Sequence, residues 1–207
     1  MPKGRPLRHI IPAVELPRHY NSVLTAAPSN ARLKHKMFRW LSSCDIPLTK
    51  VGRFGIPIPE RGGLVERVRQ LQDATKHGIN PDHILQSLLM KAKSKDGQGY
   101  EYFLLVLPWS KKFDELKVTK AIGCPFAFAQ KSSVEAVTGY RPGQVSPIPL
   151  STTPVKVLID RGVDRKNTQY YVPIGEEGLR IRLGISQIKY AINRTGLHKA
   201  TFAQLTH

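Results

Sequence analysis

The chain has 207 residues, 41% of them hydrophobic, which is enough for one globular domain with a full core and an extension. Its 32 Lys and Arg against 15 Asp and Glu leave a formal charge of +17, which favours polyanionic partners and above all nucleic acid. No apolar run approaches the ~20 residues that a membrane helix needs, and two isolated cysteines with seven scattered histidines indicate neither a disulfide framework nor a metal site.

Residues 1–28 are predicted to form an extended arm. The segment holds five prolines, its hydrophobic residues show no helical period, and its only acid is Glu15. Because such arms bind along RNA or a neighbouring protein and become ordered there, we expect Arg5 and Arg8 to contact RNA. An organellar targeting segment is the alternative, although the prolines argue against the helix of a typical transit peptide. Residues 29–207 are expected to form the globular domain.

A helix is predicted over residues 31–43, with Ser29 and Asn30 as candidate caps. Its apolar residues follow the i, i+4, i+7, i+8 spacing of one buried face. We expect the four cations of the opposite face either to be solvated or to contact RNA phosphates. These cations are Arg32, Lys34, Lys36 and Arg39.

The rest of the chain mixes helices and strands without a regular alternation. The predicted helical segments are 63–77, a turn at 80–82, 113–122, 131–137 and 185–193. The predicted strands are an edge strand within 46–58, then 100–108, 126–129, 155–160, 169–174 and 179–183. Segment 84–90 fits a helix end or a strand, and a basic tail follows residue 193. This pattern predicts an α+β, or irregular α/β, fold.

The segment Thr-Gly-Tyr-Arg-Pro-Gly-Gln-Val-Ser-Pro at 138–147 lies between predicted elements. Its glycines can adopt backbone angles closed to other residues and allow another molecule to approach closely, while its prolines fix the backbone. Composition alone fits a structural double turn. The sequence contains no nucleophile elbow, Walker loop or dinucleotide-binding fingerprint. We expect no cofactor, and an enzyme built on this chain would depend on backbone geometry and on its substrate.

This segment, preceded by the Asn-Pro-Asp turn at 80–82 and followed by a strand that ends in Asp160, resembles the YbaK/ProX-type aminoacyl-tRNA editing domain. The same module is inserted in some prolyl-tRNA synthetases. The resemblance covers residues 30–205 and implies a mixed, mostly antiparallel sheet flanked by helices. It also implies hydrolysis of tRNA that carries the wrong amino acid.

The resemblance places a substrate loop at 138–147. Its backbone amides would hold the terminal adenosine and the ester carbonyl, because preorganised N–H groups stabilise charge that develops on an oxygen. Hydrolysis in the family is thought to use the ribose hydroxyl of the substrate and a positioned water. The residues implied for this loop are Thr138, Gly139, Gly143, Ser146 and Pro147.

One departure from the family concerns Gln86. Family enzymes carry a lysine at the start of the strand after the Asn-Pro-Asp turn, and this chain has Gln86 in the matching stretch Gln-Ser-Leu-Leu. Glutamine keeps some reach and its donors but lacks the charge. Lys91, five residues further on, is expected on the opposite face of a strand. The departure predicts impaired hydrolysis.

Two functions of different classes follow. The first is an RNA-binding structural component of a large ribonucleoprotein, a mitochondrial ribosome, with rRNA or tRNA and ribosomal proteins as partners and no membrane contact. Gln86, the charge of +17 and the arm favour it. The second is an active trans-editing deacylase, with the cytoplasm as the alternative location. A regulatory binder of amino acids or uncharged tRNA 3′ ends lies between them.

Overall fold

The structure, a computed structural model, describes residues 39–46, 51–53, 72, 74–76, 78–148, 153–175, 179–194 and 196–207. The predicted arm lies outside the described residues, as do five of the six predicted RNA contacts, Arg5, Arg8, Arg32, Lys34 and Lys36. Residues 39–43 are helical, in agreement with the prediction for 31–43, and Arg39 is exposed. The predicted helix 63–77 is described at 72 and 74–76, where it is helical, and Gly78 follows it with a φ of 71°.

The described residues form two sheets. The larger sheet has the strand order β4-β2-β3-β5-β8 and the smaller sheet the order β1-β7-β6. Four of the six pairings are antiparallel, and the pairings of β3 with β5 and of β5 with β8 are parallel. The predicted mixed, mostly antiparallel sheet is therefore confirmed. The strands are β1 (Val51–Arg53), β2 (Leu85–Lys93), β3 (Tyr100–Pro108), β4 (Phe126–Phe128), β5 (Lys156–Asp160), β6 (Gln169–Pro173), β7 (Leu179–Gly184) and β8 (Lys199–Ala203).

Three helices are described over their full length: α1 (Glu115–Ile122), α2 (Lys131–Thr138) and α3 (Ile185–Asn193). The Asp114 side chain caps α1 by accepting from the backbone N–H groups of Leu116 and Lys117 at 3.0 and 3.1 Å. Gly123 ends the helix in the left-handed region, which glycine occupies without strain. All three helices agree with the predictions to within two residues.

The larger sheet is buried on both faces. One face packs on α2, α3 and the smaller sheet, and the other packs on α1. Successive residues of β2 alternate between these two cores, with Leu89 in the first and Met90 in the second. Strand β3 lies between β2 and β5, so its run Phe-Leu-Leu-Val-Leu is buried on both sides, as its continuous apolar sequence predicts.

The basic tail predicted after residue 193 is wrong, because residues 199–203 form strand β8. This strand pairs in parallel with β5 and forms an edge of the larger sheet. Its short sequence Lys-Ala-Thr-Phe-Ala buries little on its outer side, so it lacks the apolar run that marks a central strand. Segment 84–90, which fits two structures by sequence, belongs to β2.

The two sheets meet where β2 begins. Ile84 forms a parallel bridge with Tyr171 of β6, and the Trp109 backbone N–H donates to the Ile84 carbonyl at 2.7 Å. The 3₁₀ turn Pro81–His83 leads into this junction, with the Asn80 side chain accepting from the Asp82 N–H at 2.9 Å. The start of β2 is thereby fixed against both sheets.

Candidate functional site

A cavity of about 170 Å³ lies between the start of β2, the loop 138–147 and the smaller sheet. Most of its wall is apolar, with a few polar groups that converge on it, as is usual for a small-ligand site. Its lining residues are Ile84, Leu85, Gln86, Ser87, Leu88, Trp109, Gly143, Val145, Pro173 and Arg180.

The loop 138–147 is held together by its own hydrogen bonds. The Thr138 hydroxyl donates to the Val134 carbonyl at 2.7 Å and accepts from the Tyr140 N–H at 3.2 Å. The buried Tyr140 hydroxyl donates to the Ile148 carbonyl at 2.7 Å, and burial raises the pKa of this phenol far above its usual value. The Ser146 hydroxyl accepts from the Ile148 N–H at 3.2 Å. The Gln144 N–H also donates to the Arg141 carbonyl at 3.0 Å and closes a turn at Pro142 and Gly143, so hydrogen bonds within the segment fix the shape of the loop.

These contacts divide the five residues implied for the substrate loop. Thr138, Ser146 and Pro147 are buried and support the loop from inside. Gly139 ends α2 with a φ of 79°. Gly143 is exposed, has a φ of 84° and lines the cavity. A Cβ at Gly143 would meet no atom within 4 Å, so this backbone faces open space.

Gln86 lies on the same cavity, although it is 57 positions from Gly143 in the chain. Its side-chain amide donates to the carbonyls of Pro108 and Lys111, at 3.2 and 3.1 Å. The amide is thus held by the end of β3 and the segment that follows it, and it brings no charge. Lys91 places its ammonium 4.6 Å from the centroid of the Tyr100 ring, further along the hairpin, and takes no part in the lining of the cavity.

Arg180 is a site residue that the sequence did not reveal. It lies in β7 and is only 8% exposed, and among the described residues its Nε has no hydrogen-bond partner. Burial lowers the pKa of Arg180 to about 10, so the guanidinium stays charged at neutral pH. Apolar and basic residues alternate along β7, and this alternation predicts that Arg180 and Arg182 share one exposed face of the strand. Arg182 is exposed, whereas Arg180 is buried and lines the cavity together with the start of β2 and the loop 138–147.

Asp160 acts as a cap and lies outside this cavity. Its Oδ1 accepts from the Gly162 N–H at 2.8 Å, and its Oδ2 accepts from the N–H groups of Leu205 and Thr206 at 2.9 and 3.0 Å. Both oxygens are therefore occupied, and the residue caps the 3₁₀ turn Arg161–Val163 that follows β5. Among the described residues, no group of three His, Cys, Asp or Glu side chains could hold a metal ion.

A sequence profile of the aminoacyl-tRNA editing domain matches residues 65–189, more than half of the chain. The chain belongs to the aminoacyl-tRNA editing domain family. The resemblance found in the loop 138–147 is therefore confirmed by a match that includes the loop and both other walls of the cavity. No curated protein sequence matches this editing domain significantly.

Solved structures share the fold of this editing domain. A protein described as a "putative trans-editing enzyme for prolyl tRNA synthetase" is 19% identical, with a TM-score of 0.61 over 84% of this chain and 97% of that one. A hypothetical protein, APE2540, is 18% identical, with a TM-score of 0.58 over 83% and 99%. A structure from computational epitope grafting onto scaffold proteins is 18% identical, with a TM-score of 0.61 over 84% and 97%. They confirm the predicted fold class.

In the part of the chain that the structure describes, no helix combines the length and the apolar character needed to cross a membrane.

Proposed function

We propose that this editing domain binds the aminoacylated 3′ end of tRNA and hydrolyses the ester of mischarged tRNA in trans. The observation that carries the proposal is the convergence of Gly143 and Gln86 on one small cavity. The family membership and the fold shared with a protein described as a trans-editing enzyme support it.

The loop provides a rigid backbone with an exposed glycine at the cavity. Because Gly143 has no side chain and a φ of 84°, its peptide units can approach an ester closely in a conformation that other residues adopt only with strain. Backbone N–H groups held in this way stabilise the oxyanion that forms when water adds to an ester carbonyl. The ester C–O bond then breaks, which releases the free amino acid and the ribose hydroxyl of the tRNA.

No side-chain nucleophile is needed for this reaction. The attacking group is a water molecule, activated with help from the neighbouring ribose hydroxyl of the substrate, as the family resemblance implies. The cavity of about 170 Å³ has room for a small aminoacyl group, and its walls of Ile84, Leu88 and Trp109 are apolar. We therefore expect small amino acids, alanine, serine or cysteine, to be the ones removed.

The test is a deacylation assay with tRNA(Pro) charged with alanine, serine, cysteine or proline. We expect release of at least one of the three wrong amino acids faster than in buffer, and no release of proline. The variant Gln86→Lys is assayed alongside the wild type because it introduces the positive charge found in family enzymes. Activity only in Gln86→Lys would show that the natural chain has lost the reaction, and would favour the structural role.

A second candidate function has one specific observation in its favour, the charge of +17. A protein packed permanently on RNA benefits from many phosphate contacts. The role in a mitochondrial ribosome stays a prediction from the sequence, and co-sedimentation with ribosomal subunits tests it. A protein that purifies as an RNA-free monomer and stays off ribosomal subunits at moderate salt would contradict it.

A further inference from the structure

We propose that Arg180, assisted by Ser87, forms an oxyanion-binding site in the cavity beside Gly143, where it holds a phosphate or carboxylate group of the aminoacyl-tRNA end. The inference rests on the proposed function only in taking the tRNA end as the natural ligand. It locates the positive charge of the site on the smaller sheet, opposite the position that Gln86 occupies in the larger one.

Among the described residues, no acidic side chain pairs with the buried guanidinium of Arg180. Among the described lining residues of the cavity it carries the only charge. Its neighbours in the sheet register are Gly52 of β1 and Pro173 of β6, and neither has a polar side chain. Within the described part of the chain, its Nε has no acceptor.

This arrangement is costly for the unliganded fold. Burial of a guanidinium without a partner is unfavourable, because solvation is lost and no ion pair replaces it. Burial already lowers the pKa of Arg180, which is the direction expected when the charged form lacks compensation. An anion bound in the cavity would supply the missing partner, and a guanidinium is well suited to hold the two oxygens of one oxyanion.

Ser87 provides a second buried polar group at the cavity. Its hydroxyl oxygen is buried and has no hydrogen-bond partner among the described residues, and the residue lines the same cavity. A hydroxyl can donate to an oxyanion. Gln86, next to Ser87 in β2, already donates to two carbonyls and is not available in this way.

The experiment measures binding and does not depend on catalysis. A short single-stranded RNA that ends in CCA and inorganic phosphate are the two probes, added to the wild-type protein and to Arg180→Met. We expect Arg180→Met to bind the RNA about tenfold more weakly, the loss typical of one charge-assisted hydrogen bond. The slope of log K against log salt should fall by about 0.7, the effect of one lost phosphate contact.

Arg182→Met is the matched control. Arg182 is two residues further along the same face of β7 and is exposed, with its guanidinium 5.7 Å from the centroid of the Tyr171 ring. The two variants lose the same charge, so a general effect of net charge would weaken RNA binding equally in both. We expect Arg182→Met to change the affinity less than about twofold, because an exposed charge is screened by salt.

Thermal unfolding separates a binding role from a structural one. Without ligand, Arg180→Met should unfold at the same temperature as the wild type or higher, since an apolar side chain replaces an unpaired buried charge. Inorganic phosphate should raise the unfolding temperature of the wild type and leave that of Arg180→Met unchanged. Ser87→Ala should reduce the phosphate effect in part.

Two analogues of the aminoacyl-tRNA end show whether the oxyanion is a phosphodiester or a side-chain carboxylate. In each analogue, alanine or aspartate is joined to the 3′ position of adenosine by a stable amide bond. Weaker binding of the RNA by Arg180→Met assigns the site to a phosphodiester. Unchanged RNA binding, with loss of only the aspartyl analogue, assigns it to a side-chain carboxylate. If Arg180→Met binds the RNA, phosphate and both analogues as the wild type does, the proposal is wrong. These results hold whether or not the protein deacylates tRNA.

Discussion

At the scale of the residue, Gly143 decides whether the loop 138–147 is a substrate loop or only a turn. Its φ of 84° and its open surroundings mean that Gly143→Ala adds strain of about 1 kcal/mol and a methyl group at the cavity. If the proposed function holds, we expect deacylation to fall at least tenfold, as when an oxyanion donor is displaced. Single-turnover rates with mischarged tRNA measure this effect.

Gly97→Ala is the control for Gly143→Ala. Gly97 has a φ of 74°, and a Cβ there would also meet no atom within 4 Å. It lies in the β2–β3 turn, at the other end of a nine-residue strand that spans about 30 Å. The two substitutions strain the backbone alike, so only Gly143→Ala should slow the reaction. Equal loss of activity in both would mean that the loop acts through stability alone.

Asp160 connects the end of β5 to the C-terminal segment, and its removal should be costly. In Asp160→Ala the N–H groups of Gly162, Leu205 and Thr206 lose their acceptor, and we expect a loss of about 3 kcal/mol in unfolding free energy. Asp160→Asn keeps one acceptor oxygen, but its new NH₂ group faces backbone N–H donors. We therefore expect a loss of about 2 kcal/mol in unfolding free energy for this variant. Urea denaturation measures both, and an unchanged midpoint for Asp160→Ala would contradict this account.

At the scale of the element, the N-terminus of α1 should respond to acid. The pKa of Asp114 is lowered, first by the Lys117 backbone N–H and further by His207 and Lys117 charges. A carboxyl whose pKa is lower in the folded state stabilises the fold above its unfolded pKa, and this contribution disappears as the pH falls through the folded value. The wild type should therefore be more stable than Asp114→Asn at pH 6, and the difference should shrink as the pH falls below the ordinary carboxyl pKa of 3.8 and vanish only below the still lower pKa of the folded state.

The measurement for this helix is the unfolding temperature of the two proteins between pH 7 and pH 2. Lys120→Gln, in the last turn of α1, serves as a control for a general effect of charge on the helix. A difference between wild type and Asp114→Asn that stays constant over the whole range would show that the carboxylate charge is irrelevant to the cap.

Elements with a clear local signal could be predicted from the sequence. The apolar run of β3 and the glycine that ends α1 specify their own structure, and the predicted bounds of both elements agree with the structure to within two residues. Strand β8 could not be predicted, because its five residues become a strand only by pairing with β5, which lies about 40 residues earlier. Local propensity contains no information about such a distant partner.

Across the whole molecule, the residues that line the cavity differ in how visible they are in the sequence. Gly143 and Gln86 belong to local motifs, and the family resemblance pointed to both positions, which line one cavity. Arg180 looks like half of an exposed basic pair with Arg182, because alternation along β7 assigns both to one face. Arg180 is nevertheless buried, and it lines a cavity together with Ile84 and Trp109 from other parts of the chain. Packing between distant parts of the chain, which local sequence patterns do not encode, changes Arg180 from an exposed residue to a buried one.

An editing domain with glutamine at position 86 should still remove wrong amino acids from tRNA. The single-turnover deacylation rate of mischarged tRNA(Pro) with excess wild-type protein tests this expectation. We expect a rate well above that of buffer, lost in Gly143→Ala and kept in Gly97→Ala. A rate equal to that of buffer for alanyl-, seryl- and cysteinyl-tRNA(Pro) alike would contradict it.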